Sequence, residues 1–404
     1  MQTQKKDLCL FTTFYPYGKF EAYLHNEIKY LSEAFNHVYI FHLKKEGELR
    51  NLPPNVTPVW LSELEEEKSS KSILLSNFRS INGIMLSDFF SAPKGKYLKN
   101  MRSTLSLLIA QYKRANTLKI WLKEHNENEK VFYSNWFIGW ATVLGILKKK
   151  GLVSEFICRA HGYDLYTERH ATGFIPFRKF QLKTVKQVFC ISKNGQQYLK
   201  DRYPKYKNKF KQSYLGVFDL GNNPFDGTKF RVLSCSNFAA VKRMHLIVKT
   251  LKHLSFEVEW VHFGSGELQE EIEQQTKELP ANITHQFMGR VSTAELMEYY
   301  RKEPIHLFIN LSSSEGVPVS IMEVMSFGIP SLATDVGGTS EIVNNENGYL
   351  LPADFKPEAA AEIIKTFKDG DRNTTEFRQK VKASWNENFN AEENYKEFIG
   401  ALKS

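Results

Sequence analysis

The chain has 404 residues, 42% of them hydrophobic and 25% charged, an ordinary globular composition that leaves room for two domains. No run of about 18 apolar residues occurs, which argues against a membrane-spanning helix, and four scattered cysteines without CxxC spacing argue against a disulfide framework or a metal site. The net charge of +9 conceals a division: residues 1–216 hold 35 Lys and Arg against 18 Asp and Glu, whereas residues 217–404 hold 19 against 27. A basic half favours phosphate, an anionic membrane surface or nucleic acid, unless it is only a solvated lysine-rich face.

In chain order, "LCLFTTF" (8–14) reads as a first strand rather than part of a leader, because polar and glycine-containing sequence follows it directly. Further strand candidates are 37–43, 130–134, 155–161, 187–192 and 209–217, each a short apolar or aromatic run. The cysteines lie in such runs, which fits a reducing cytoplasm. Residues 61–125 interrupt the rhythm. There Leu74, Phe78, Ile81, Met85 and Phe89 fall at helical spacing, and basic residues follow among apolar ones. Such a segment suits a pair of helices packed on the first sheet, a membrane-surface platform, or both.

After the Gly/Pro/Asn/Asp-rich linker "FDLGNNPFDGT", alternation restarts with strand candidates at 230–237, 256–264, 282–289, 305–312 and 330–334. Strand–helix alternation in both halves predicts two parallel-sheet α/β domains, with ligands at the carboxyl ends of strands and a cleft between the domains. The stretch "SSSEGVPVSIMEVMSFGIP" (312–330) then stands out. Pro318 suits a helix start and Gly328 a stop, so the helix is expected over 318–327. Amides at Gly316, Val317 and Val319 would form an anion site. Glu315 sits at that end, and Glu323 lies roughly 8 Å along the axis.

The spacing Glu315-x7-Glu323, followed by "FGIPSLATDVGGTSEIVNNENGYLLP", resembles the donor-site signature of retaining GT-B glycosyltransferases, in particular the bacterial surface-polysaccharide group. "VLSCSNFAAVKR", "HFGSGEL", "HQFMGRVSTAELMEYY", "CRAHGYDLYTER" and "NFNAEENYKEFI" resemble further segments of that family, so that nearly the whole chain is covered and 61–125 least. The resemblance implies two Rossmann-like domains facing each other across a cleft. An N-terminal acceptor domain would span 1–216, a nucleotide-sugar domain 217–386, and a helix within 387–404 would cross back to the first domain.

By that resemblance Glu323 would bind the ribose hydroxyls and Glu315 the donor sugar, while Gly316, Val317, Pro318, Val319 and Ser320 would line the sugar and pyrophosphate pocket. Lys242 would neutralise the pyrophosphate. Asn237 stands where the family often has an arginine, and Arg243 is expected to supply that charge. Gly264 lies in the Gly-x-Gly turn, and Gly289, Arg290 and Val291 would contact the base. His161 matches the histidine that approaches the donor sugar, with Arg159, Asp164 and Lys19 as acceptor-side candidates. Gly18 would face the diphosphate from the first strand–helix turn. No DxD pair occupies a suitable loop, so no metal or other cofactor is expected.

The function implied is transfer of a sugar from a UDP- or GDP-sugar to a glycan, with a lipid-linked oligosaccharide as the acceptor expected, at the inner face of the cytoplasmic membrane. The alternatives are a sugar phosphorylase or nucleotide-sugar hydrolase of the same fold, or a basic nucleic-acid-binding module. The acidic second half counts against nucleic acid. The absence of GxGxxG after either opening strand counts against an NAD-dependent oxidoreductase.

Overall fold

The computed structural model describes residues 5–61, 69–224 and 229–404. Positions 62–68 of the expected insertion and 225–228 of the expected linker lie outside the described residues. The chain divides into two compact units, one made of the residues up to Ser213 with Tyr395–Ser404, the other of Tyr214–Asn394. No helix among the described residues is long and apolar enough to cross a membrane.

Seven parallel strands build the first unit: β1 (Asp7–Phe11), β2 (Val38–His42), β3 (Val56–Trp60), β4 (Lys130–Ser134), β5 (Ile157–Ala160), β6 (Gln187–Cys190) and β7 (Phe210–Gln212). Their order is β3-β2-β1-β4-β5-β6-β7, so the direction of winding reverses between β1 and β4. The central strands read as apolar runs because both faces of the sheet are covered, and Leu8, Cys9, Leu10 and Phe11 are all fully buried. Strand β3 escapes the sequence pattern because Pro58 sits in it. Proline is tolerated there because β3 is an edge strand, paired only with β2. The C-terminal helix Ala391–Lys403 supplies Tyr395, packed against Tyr30, and Phe398, packed edge-on against Tyr133 and Phe189.

Among the described residues of the 61–125 region there are three helices: Ser70–Ser76, Phe78–Phe89 and Lys94–Glu124. The expected apolar stripe is shifted. Asn77 interrupts the helix and bonds back to the Ile73 carbonyl, so the phase resets, and Ile73, Ile81, Ile84 and Asp88 turn inward while Phe78 points out. Ile73, Ile81 and Ile84 pack with Leu108 and Tyr112 of the long helix on the core beside β1 and β4.

The second unit has six parallel strands: β8 (Phe230–Cys235), β9 (Val258–Phe263), β10 (Ile283–Phe287), β11 (Leu307–Asn310), β12 (Ser331–Thr334) and β13 (Gly348–Leu351), in the order β10-β9-β8-β11-β12-β13. Winding reverses between β8 and β11, which opens a crevice at their carboxyl ends. The 209–217 segment forms less strand than expected. Only Phe210–Gln212 pair with β6, and Val217 bridges to Asn390 within the second unit.

Candidate functional site

The loops after β8, β9, β10, β11 and β12 leave the same edge of the second sheet, because the strands are parallel. Backbone bonds stitch them together. The Gly264 N–H donates to the Gly289 carbonyl at 2.8 Å, Ser313 to Val241 at 2.8 Å and Gly338 to Gly316 at 2.7 Å. Two glycines make this possible. Gly264 (φ 143°) and Gly337 (φ 60°) lie in the left-handed half of conformational space, and a Cβ would strike the Ser236 carbonyl at the first and the Glu315 carbonyl at the second.

The loop after β11 carries Glu315 and runs into the helix Val319–Ser326, with Pro318 at its cap. Pro318 thus precedes the helix rather than opening it. The N–H groups of Gly316, Val317, Val319 and Ser320 have no hydrogen-bond partner among the described residues, so four donors converge at this end. Lys242, in the turn Ala240–Lys242 after β8, places Nζ 2.7 Å from Glu315 Oε1. Asn310 Nδ2 approaches the same oxygen at 3.4 Å. A cation, a carboxylate and free amides therefore share one rim, where a charged ligand can be bound by exchanging partners with the ion pair.

Glu323 lies one turn into that helix. It is partly buried, and its carboxylate makes no hydrogen bond or ion pair among the described residues, although the Tyr300 hydroxyl and the Cys235 thiol feel its charge. Desolvation alone raises its pKa to about 7. Such a carboxylate gains most from a ligand that brings its own hydroxyl donors, since an unpaired buried charge is costly.

Arg243 does not stand free to meet an anion. Its backbone is left-handed (φ 49°), and its guanidinium donates to the carbonyls of Leu311 at 2.7 Å, Ser312 at 3.0 Å and Ala353 at 2.7 Å. It clamps the loop after β11, which corrects the expectation that it replaces the arginine missing at 237. A cation does reach Asn237, from the loop after β10: Arg290 Nη2 is 2.7 Å from Asn237 Oδ1. Gly289 and Val291 flank that arginine in the same loop, and no local pattern signals that Arg290 folds onto Asn237.

In the first unit His161 follows β5 and is 7% exposed. Neither ring nitrogen has a hydrogen-bond partner among the described residues, and the ring packs between Tyr23 and Trp136. Desolvation, aided by Arg159, lowers its pKa to about 3, so the imidazole is neutral at physiological pH and offers one donor and one acceptor rather than a proton. Asp164 accepts from the N–H of His161 at 2.8 Å and of Phe137 at 2.7 Å and is fully buried. It holds the loops that carry His161 and Trp136, and both of its oxygens are engaged by these backbone groups. Arg159 is likewise corrected. It is fully buried, paired with Glu27 at 3.3 Å, bonded to Tyr133 and stacked 3.8 Å above the Phe398 ring.

The first strand–helix turn is also internally satisfied. Glu21 (φ 54°) points its carboxylate into the turn, where it accepts from the N–H groups of Thr13, Phe14 and Tyr15 and from Asn135 and Trp136. Gly18 donates its N–H to the Glu48 carbonyl, so the turn's amides are spent on the protein and not held for a diphosphate, while Lys19 is exposed. Glu21 and Trp136 were not legible in sequence. The only signal was a polar "SNW" at the end of β4.

Residues 219–384 match the family model of Glycosyl transferases group 1. The chain is 27% identical to the uncharacterized glycosyltransferase MJ1178 of Methanocaldococcus jannaschii over 72% of this chain and 79% of that protein. It is 30% identical to the O-antigen biosynthesis glycosyltransferase WbnH of Escherichia coli over 35% of this chain and 38% of that one. Matches to other curated relatives span 27% to 48% of those proteins. In fold the chain resembles Anabaena HepE, crystallised with UDP, with a TM-score of 0.70 at 16% identity over 98% of this chain and 99% of that one. The two parallel-sheet units and these matches make the fold GT-B and the chain a nucleotide-sugar glycosyltransferase.

Proposed function

We propose that this glycosyltransferase binds a UDP- or GDP-sugar on its second unit and transfers the sugar, with retention at the anomeric carbon, to a hydroxyl of a lipid-linked glycan in surface-polysaccharide synthesis. The observation that carries the proposal is the helix start at residue 319, where four free amides, the Lys242–Glu315 pair and the unpartnered carboxylate of Glu323 occur together. Each matches one part of such a donor. Glu323 accepts from the ribose hydroxyls, Lys242 and the amides of Gly316, Val317, Val319 and Ser320 face the pyrophosphate, and Glu315 turns from Lys242 to the sugar hydroxyls.

In the reaction the bond between the anomeric carbon and the diphosphate oxygen breaks, and the acceptor oxygen bonds to that carbon on the same face. The acceptor proton passes to the departing phosphate oxygen. Negative charge thus grows on the diphosphate, and Lys242 with the free amides is placed to stabilise it, which needs no metal ion. His161 of the first unit, neutral and with both ring nitrogens unpartnered among the described residues, can offer a hydrogen bond to a sugar hydroxyl. The enzyme would work in the cytoplasm, peripheral to the membrane.

Acceptor dependence tests this directly. With a nucleotide-sugar and a lipid-linked glycan extract, nucleoside diphosphate release is expected to rise at least about tenfold over release without acceptor, and the product should keep the donor's anomeric configuration. Release at the same rate without acceptor would identify a hydrolase, and formation of sugar 1-phosphate from the glycan and inorganic phosphate without nucleotide-sugar a phosphorylase. Either would overturn the proposal.

A further inference from the structure

We infer that the three helices between residues 70 and 124 form a docking surface for an anionic lipid bilayer, an inference that rests on the lipid-linked acceptor proposed above and names the surface that would meet it. Large apolar side chains that packing leaves in water are concentrated here. Leu75 is 81% exposed, Phe78 62%, Leu86 57%, Phe90 70%, Leu98 57% and Met101 45%. Scattered single exposures are ordinary on a protein surface, whereas a cluster of this kind marks an interface.

Helix geometry puts Phe78, Leu86 and Phe90 on one face. Leu86 and Phe90 stand 8 and 12 residues beyond Phe78 in and just after the helix Phe78–Phe89. At about 100° per residue they fall about 80° and 120° around from it, on the side opposite Ile84, which enters the core. Leu75 precedes this face by less than one turn, across the break at Asn77.

The charge pattern selects the occupant. Between residues 69 and 106 stand six Lys or Arg, namely Lys71, Arg79, Lys94, Lys96, Lys99 and Arg102, and all six are exposed. The one acid in that span, Asp88, is buried and accepts a hydrogen bond from the Phe177 N–H. A second copy of the chain would set these cations against one another across a two-fold axis. A bilayer with anionic lipids accepts both components, the apolar side chains at the acyl boundary and the cations among the headgroups. Beside Phe90, a cavity of about 310 Å3 between Ser91, Pro93, Lys179 and Arg202 offers two further cations to a headgroup phosphate.

The test is cosedimentation of the full chain with vesicles of phosphatidylcholine alone and with one third phosphatidylglycerol. Binding is expected only to the anionic vesicles and is expected to weaken as salt rises. Leu86→Ser combined with Phe90→Ser should weaken it at least about tenfold, and so should glutamine at Lys94, Lys96, Lys99 and Arg102 together, in each case with melting temperature and UDP affinity unchanged. Equal binding to both vesicle types, binding to neither, or unchanged binding by both variants would overturn the inference. So would a dimer that dissociates on the Leu86→Ser, Phe90→Ser change, because a second copy would then cover the face. No donor or glycan is present in this test, so it can fail while acceptor-dependent transfer stands, and transfer can fail while the surface binds lipid.

Discussion

Lys242→Ala is expected to lower kcat for sugar transfer about 100- to 1,000-fold, the loss typical of removing one preorganised group that faces charge developed in the transition state. Lys242 Nζ lies 2.7 Å from Glu315 and on the same rim as four unpartnered amides. In the free protein the ion pair neutralises both side chains. In the proposed mechanism the lysine would transfer its interaction on donor binding to the diphosphate, whose charge rises as the bond to the anomeric carbon breaks. Effects on folding should be small, on the order of 1 kcal/mol, because the lysine is partly solvated. Lys242→Arg should recover part of the rate, since charge is kept while the compact ammonium geometry is lost. A kcat within about threefold of wild type for Lys242→Ala would remove Lys242 from the site.

Arg159→Met is expected to destabilise the first unit by about 3–5 kcal/mol, the cost of leaving a buried partner charge uncompensated. Arg159 and Glu27 are both fully buried, with Nη2 3.3 Å from Oε2. Burial raises the Glu27 pKa and Arg159 opposes that rise, so loss of the guanidinium leaves the carboxylate with the desolvation cost alone. The same guanidinium donates to Tyr133 and to the Ser213 carbonyl and covers the Phe398 ring. The variant's deficit should shrink as pH falls and Glu27 takes up a proton. Adding Glu27→Met should recover most of the loss, because two apolar groups need no pairing. Thermal melting of the two variants checks this. A single variant as stable as wild type would mean that the pair does not hold the unit together.

Much of this was legible in the sequence, and what was not has specific causes. The parallel sheets show as apolar runs because their central strands are covered on both sides. The edge strands β3 and β13 do not show, one carrying Pro58 and the other being short and only half buried. At the site, Glu315 and Glu323 announce themselves as acids in an otherwise apolar, proline-started segment. Arg243 and Arg159 look in sequence like free cations beside motifs, yet their partners are carbonyls at 311, 312 and 353 and a glutamate 132 positions earlier. No local pattern encodes such distant partners. The same holds for Glu21, which fills its own turn with a carboxylate where a glycine-rich loop would leave amides free.

The claim that the second unit is a nucleotide-sugar site is tested most directly by titrating UDP, GDP and ADP calorimetrically into wild type and Glu323→Ala at pH 8 and pH 6. Burial raises the Glu323 pKa to about 7, so the ionised form proposed to accept the ribose hydroxyls falls from about nine tenths to about one tenth between those pH values. One diphosphate should bind, with affinity about tenfold weaker at pH 6, and Glu323→Ala should lose at least about tenfold at pH 8 and retain only the pH slope of the phosphate itself. Binding of no diphosphate, or equal affinity and pH dependence in the variant, would contradict the donor site built around this helix.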